Sequence, residues 1–329
     1  MPATESKEPI MSSAAYGIML PRDLAPGSVL DFARRAEALG FDELWVIEDL
    51  QFRGGIAQAG AVLAATERIR VGIGILPAAV RNVAFTAMEI ATLAQLFPGR
   101  VDAGIGHGMP GFLRQVGAWP EKPLAFLQAY VRALRGLLRG EAVDSEAPVV
   151  LRGLELDPSA RPDIVPDLLL GVRGPRSLAA SGRVADGTIL AEPTTPEYAA
   201  AALEKIATPG HRLVAYNVAA VADDDATALA AVRPGLEWIG EPDWAPHIEP
   251  LDFADDFFAL RADCASRLEF VERMPDAWVA RLALAGTPET VRARTQELFA
   301  VGVTSSVMIP TGPDASVALE SLARVLPTD

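Results

Sequence analysis

Leu168-Leu169-Leu170-Gly171-Val172-Arg173-Gly174-Pro175-Arg176-Ser177 is an apolar run, a glycine-rich turn and the opening of a helix. The helix reads on to Val184, and Gly187-Thr188-Ile189-Leu190-Ala191 is a second apolar run. Strand, turn, helix and strand in so short a span make a βαβ unit, whose two strands lie parallel because the helix carries the chain back to its starting edge. Working outward, the unit recurs in both directions. Upstream, residues 16–20, 44–47, 69–75 and 101–105 read as strands. The helices between them place Val29, Ala33, Ala36 and Leu39 on one face before Gly40, cover 57–65 and 83–96, and set Leu127, Val131, Leu134 and Leu138 in one stripe. Downstream follow a helix over 196–206, strands over 213–221 and 305–309, and a closing helix over 315–325. Eight strands apolar on both faces predict an α/β fold, a (β/α)8 TIM barrel with its chemistry on the loops at the strand C-terminal ends.

The totals agree with one domain over 14–329. The chain has 329 residues, half of them hydrophobic, which supports a large core. A net charge of −14 argues against nucleic acid and anionic membrane as partners, since both select basic surfaces. The single Cys264 fits a reducing cytoplasm. Residues 1–13 are polar, carry no signal-like apolar core and read as a disordered tail. Two departures interrupt the repeat. Residues 142–166 carry short extended pieces at 149–151 and 154–156, expected as a small hairpin. An insertion at about 234–280, between strands seven and eight, is rich in aromatics, among them Trp238, Trp244, Phe253, Phe257, Phe258 and Phe270. These rings either line a pocket at the barrel mouth or pack against the barrel wall.

Three strand tips carry the candidate chemistry. After strand five, Val172-Arg173-Gly174-Pro175-Arg176 opens a helix; its free amides favour a phosphate, and two arginines add charge. After strand four, Gly104-Ile105-Gly106-His107-Gly108 lets a flat ring approach the backbone, and His107, the only histidine expected at a strand C-terminal end, is expected to point into the mouth as a donor or acid–base group. After strand two, Glu48-Asp49 orients a ring or substrate, or simply pairs with Arg53 or Arg81; Asp49 is the stronger catalytic candidate. Arg81, beyond strand three, would meet a phosphate or a carboxylate. His211 precedes a strand and reads as structural. No lysine ends a strand, no Cys/His spacing suits zinc and no Gly-x-Ser-x-Gly is present. Few nucleophiles beside a glycine-lined mouth and a phosphate turn suit a bound redox cofactor.

These segments resemble the bacterial-luciferase-like family of flavin- and deazaflavin-dependent oxidoreductases. The resemblance rests on residues 36–46, 69–75, 97–108, 174–187 and 286–303, in family order, and is nearest the methylenetetrahydromethanopterin-reductase-like branch. It implies FMN or the deazaflavin F420 at the mouth, its ring beside Gly106, His107 and Gly108 and its phosphate on the Gly174-Pro175 turn. It also implies a bulge or non-prolyl cis peptide at Gly74-Ile75, a small organic substrate, a homodimer and, with FMN, a separate flavin reductase. Asp49-Leu50 and Met109 depart from the sugar-phosphate dehydrogenases of the family, which carry Asp-His and a glutamate at those places. The readings left open are hydride transfer or oxygenation, a non-catalytic flavin-binding paralogue, and an isomerase barrel that binds phosphate and no redox cofactor.

Overall fold

Eight parallel strands close into a ring in the computed structural model, which describes residues 14–327. They are β1 (Ala15–Met19), β2 (Glu43–Val46), β3 (Arg70–Pro77), β4 (Val101–Gly106), β5 (Asp167–Gly171), β6 (Gly187–Leu190), β7 (Arg212–Val221) and β8 (Ser305–Pro310). Neighbours in sequence are neighbours in the sheet, β6 pairs with β7, and β8 pairs with β1 through Ala15 opposite Ser305. The expected tail over 1–13 lies outside the described residues. No helix among the described residues is long and apolar enough to cross a membrane.

The helices sit where the periodicity puts them, with ends fixed by local chemistry. Val29–Leu39 stops at Gly40, whose φ of +94° suits glycine. Val83–Leu96 begins at Asn82, whose side chain accepts from the Ala84 amide, and Pro196–Ile206 begins at Thr195, whose side chain accepts from the Tyr198 amide. Their buried faces and the outward faces of the strands form the main core.

Inside the ring a smaller cluster of Trp45, Leu169, Ile189, Val214, Tyr216 and Val307 fills the barrel. Two large rings fit there because facing strands give up side chains. A Cβ on Gly72 would run into the Trp45 indole, and one on Gly74 into the Tyr216 hydroxyl. Below them, at the N-terminal end, the barrel is closed by charge. Arg212 reaches Asp102 at 2.9 Å and Asp167 at 2.6 Å, Arg70 reaches Asp102 at 2.5 Å, and the buried Glu43 accepts from Trp45 Nε1 at 2.8 Å.

The structure differs from the sequence reading in its details. The hairpin in 142–166 pairs Val143–Ser145 with Leu151–Leu154, antiparallel, so its first strand lies earlier than the apolar pieces suggested. A three-residue strand, Leu284–Gly286, adds in parallel to the far end of β7, too short to leave a pattern. The β4 loop holds a short helix, Pro110–Gln115, that the reading passed over. The insertion is helical and mostly buries its own aromatics: Phe253 stacks on Trp278 at 5.0 Å, and Phe257 meets Phe270 edge-on at 5.0 Å. These rings form a second core.

Candidate active site

The floor of the mouth is built by β3. Its pairing with β4 slips between Ile73 and Leu76, and the Gly74–Ile75 peptide, where the resemblance implied one, is cis. The slip turns Ile75 to the barrel axis, where it packs over the interior cluster and keeps part of its surface free. Gly104 and Gly171 flank it so closely that a Cβ on Gly104 would meet the Ile73 carbonyl and one on Gly171 the Ile75 side chain; Gly106 stands in the same relation to Ile75. An apolar platform walled by bare backbone suits one face of a flat ring.

The alternation along β4 decides where His107 goes. Asp102, Gly104 and Gly106 face the axis, whereas Ala103 and Ile105 belong to the outer core. His107 continues the outer row. It lines a cavity of about 10 Å³ with Ala78, Pro120, Pro123 and Phe126, at the rim of the mouth, where the sequence reading had it pointing into the mouth. Burial pulls its pKa down, so the ring is neutral at pH 7.

At the β2 tip the two carboxylates separate. Glu48 is taken up structurally, paired with Arg81 and accepting the Gly55 amide at 2.6 Å. Asp49 pairs with Arg22 of the β1 loop at 2.5 Å. Arg53, a partner the sequence allowed, instead donates to the Arg22 carbonyl at 3.0 Å.

The turn after β5 has the geometry that the sequence implied. Gly174 is the N-cap of Pro175–Val184, with nothing within 4 Å of the Cβ position it lacks. Its amide and that of Arg176 meet no acceptor among the described residues, and Arg176 is exposed without an ion pair there. Val172 is buried beneath. Arg173 is fixed from the insertion, its guanidinium 4.4 Å over the Trp244 ring and donating to the Asp243 carbonyl at 3.3 Å. The following Asp186 is structural, gripping Arg135 at 2.8 Å.

Several groups escaped the sequence reading. Glu192 ends β6, and its backbone is pinned on both sides. Trp244 Nε1 donates to the Glu192 carbonyl at 2.8 Å, and His247 Nδ1 donates to the Pro193 carbonyl at 3.0 Å. The His247 ring lies tilted against Tyr198 with centroids 4.2 Å apart, and Tyr198 donates to the Arg173 carbonyl at 3.1 Å. Burial drives the His247 pKa down to about 3. Tyr216, 4% exposed, has a hydroxyl with no partner in the described structure. The one available signal for Glu192 was its place just beyond an apolar run; Tyr216 gave none. His211 is structural as expected, hydrogen-bonded to Thr188 at 2.8 Å.

A cavity of about 640 Å³ opens at the opposite, N-terminal end, lined by Glu37, Asp42, Glu43, Arg68, Arg70, Asp167 and Arg212. Several of these already bond one another or backbone amides, and that end of a barrel serves stability.

Residues 10–305 match the family model for luciferase-like monooxygenases. The chain belongs to that family. It is accordingly an oxidoreductase of the flavin and deazaflavin kind. A 5,10-methylenetetrahydromethanopterin reductase of Methanolobus tindarius is 27% identical over 319 residues, covering 90% of this chain and 94% of the relative. Among solved structures, the coenzyme F420 dependent tetrahydromethanopterin reductase from Methanopyrus kandleri superposes with a TM-score of 0.79 at 23% identity, covering 94% of this chain and 97% of its own. The oxygenating constituent of 3,6-diketocamphane monooxygenase of Pseudomonas putida, in complex with FMN, superposes at 0.71 with 16% identity, covering 95% of this chain and 97% of its own. The family member thus shares its fold with both deazaflavin and flavin enzymes.

Proposed function

We propose that this family member binds F420 at the barrel mouth and transfers hydride between it and a small organic substrate in the cytoplasm. The observation that carries the reading is the join of two features: the bare-backbone cradle around Ile75, and the open helix N-terminus at Gly174 with Arg176 beside it. The residues present fit such a group, because a ring needs the first and an anionic tail the second. Similarity to the Methanopyrus reductase, which is coenzyme F420 dependent, over most of both chains supports the deazaflavin over FMN.

When bound, the cofactor supplies a two-electron hydride donor or acceptor. The chain's own residues do the rest. Ile75, backed by Gly74 and walled by Gly106, supports the ring, with His107 and Gly108 at its edge. Val172 to Arg176 hold the tail, Arg173 and Arg176 adding positive charge to the free amides. Asp49, oriented by Arg22, directs a polar group of the substrate, and neutral His107 offers a hydrogen bond from the rim. Met109 packs against the insertion core, which keeps water from the reacting carbon.

Fluorescence titration of the protein with F420 and FMN side by side tests this. The reading expects saturable binding of F420. Binding of FMN alone moves the protein to the oxygenating subclass, with a separate flavin reductase as its partner, and binding of neither ends the proposal. The chain is also proposed to be a homodimer, through the helix Val83–Leu96. That helix exposes Phe85 at 65%, Met88 at 52% and Leu96 at 65% on one face. Light scattering on wild type and Phe85→Glu/Met88→Glu checks it, the variant being expected as a monomer.

A further inference from the structure

Of the three carboxyls that the β2 and β6 tips bring to the mouth, two are committed. Glu48 is bound to Arg81 and Asp49 to Arg22. Glu192 alone has no ion pair and no side-chain hydrogen bond to another residue among the described residues, its carboxyl meeting only its own backbone amide, although its backbone is held by Trp244 and precedes the Pro193 carbonyl that His247 grips. A fixed backbone with an uncommitted carboxyl at its end is the arrangement of a group kept for a ligand.

The charges acting on Glu192 are those of the mouth. It feels Arg173 from the β5 tip and, across the mouth, Asp49 and Arg22 from the β2 and β1 tips. Tyr216 of β7 feels it from below, and Trp244 and neutral His247 stand against its backbone from the insertion. Burial is the largest influence and raises the pKa; the hydrogen bond from its own backbone amide opposes this, as do Arg173 and Arg22, while Asp49 adds to the rise. A carboxyl so placed keeps its proton to higher pH than an ordinary glutamate.

We infer that Glu192 is the acid–base residue of the reaction, delivering a proton to the heteroatom of a C=O or C=N substrate whose carbon takes the hydride. The inference rests on the function proposed above. The balance is simple. Hydride from the reduced cofactor forms the new C–H bond, the π pair of the double bond moves to the heteroatom, and the Glu192 O–H bond breaks as the heteroatom–H bond forms. Glu192 is left as a carboxylate for solvent to reprotonate, and the reverse reaction uses that carboxylate as base. His107 is less suited, since it is neutral and at the rim, and Asp49 is tied to its arginine.

Infrared spectroscopy of apoprotein carrying ¹³C-labelled glutamate, compared with Glu192→Gln, reads the carboxyl without any cofactor. A protonated-carboxyl band that persists to higher pH than that of an ordinary glutamate is expected in the wild type and absent from the variant; buried Glu43 contributes to both and cancels. Single-turnover oxidation of reduced F420 on the enzyme by cyclohexanone, a ketone acceptor, reads the chemistry. The wild-type rate is expected to fall as pH rises through the Glu192 pKa. Glu192→Gln is expected to be about 100-fold slower with a flat profile, and Glu192→Asp to recover part of the rate and the slope. F420 titration and thermal melting of each variant establish binding and folding. No F420 binding to wild type defeats the functional reading itself. Intact binding with an unchanged Glu192→Gln rate, no ketone reduction by wild type, or no difference band overturns the role of Glu192 alone.

Discussion

The guanidinium of Arg173 lies 4.4 Å over the ring of Trp244, so a residue at the β5 tip is positioned by a side chain that arrives some seventy residues later. The same indole donates to the Glu192 carbonyl. One ring therefore ties two strand tips to the insertion, and the shape of the mouth depends on a segment outside the barrel repeat.

Trp244→Ala removes both ties. A cation–π contact is worth about 0.5–2 kcal/mol and a hydrogen bond about 1 kcal/mol. Cofactor affinity is expected to fall about 10-fold, read by the titration already described, while far-ultraviolet circular dichroism stays that of a barrel.

Gly174 separates binding from folding. Its φ of −81° is open to any residue and its Cβ position is empty, so Gly174→Val is expected to melt within a few degrees of wild type. The added methyls cover the free amides, and cofactor binding should weaken by at least about 10-fold, about 1.4 kcal/mol. Unchanged affinity would remove this turn from the cofactor site.

Gly171→Ala behaves oppositely. Its methyl is driven into Ile75. Overpacking of this kind costs about 1–3 kcal/mol, measured as a lower denaturation midpoint even without ligand.

Tyr216→Phe removes a buried hydroxyl that lacks a partner. The apoprotein is expected to gain up to about 1 kcal/mol, read by urea denaturation. A loss would reveal a hydrogen bond to that hydroxyl in solution.

His247 sets an acid limit on stability. Its folded-state pKa, about 3, lies below the ordinary 6.5, so the unfolded chain binds the extra proton first. The stability is whole above pH 6.5 and is lost as pH falls toward 3, about 2 kcal/mol of it by pH 5. His247→Gln lowers stability at pH 8 but should flatten the slope between pH 7 and pH 5 in chemical denaturation.

The barrel was legible because its period is local. Each apolar run and each amphipathic stripe declares itself within a few residues, and helices such as Val83–Leu96 and Pro196–Ile206 fall on the expected positions. The Gly174 turn was legible for the same reason. His107 was placed at the right strand end but on the wrong side of it, because the facing of a residue just beyond a strand depends on the row it continues.

By itself the sequence determined the strand order and the closed ring, since alternation, caps and turn residues act over short range. Only the tertiary structure decided which mouth carboxyl stays uncommitted. That outcome depends on Arg81 finding Glu48 and Arg22 finding Asp49 across loops, and on the insertion folding back to seat Trp244 against Arg173 and Glu192. Charge pairing and desolvation are set by distances between residues far apart in the chain, and no local pattern records them.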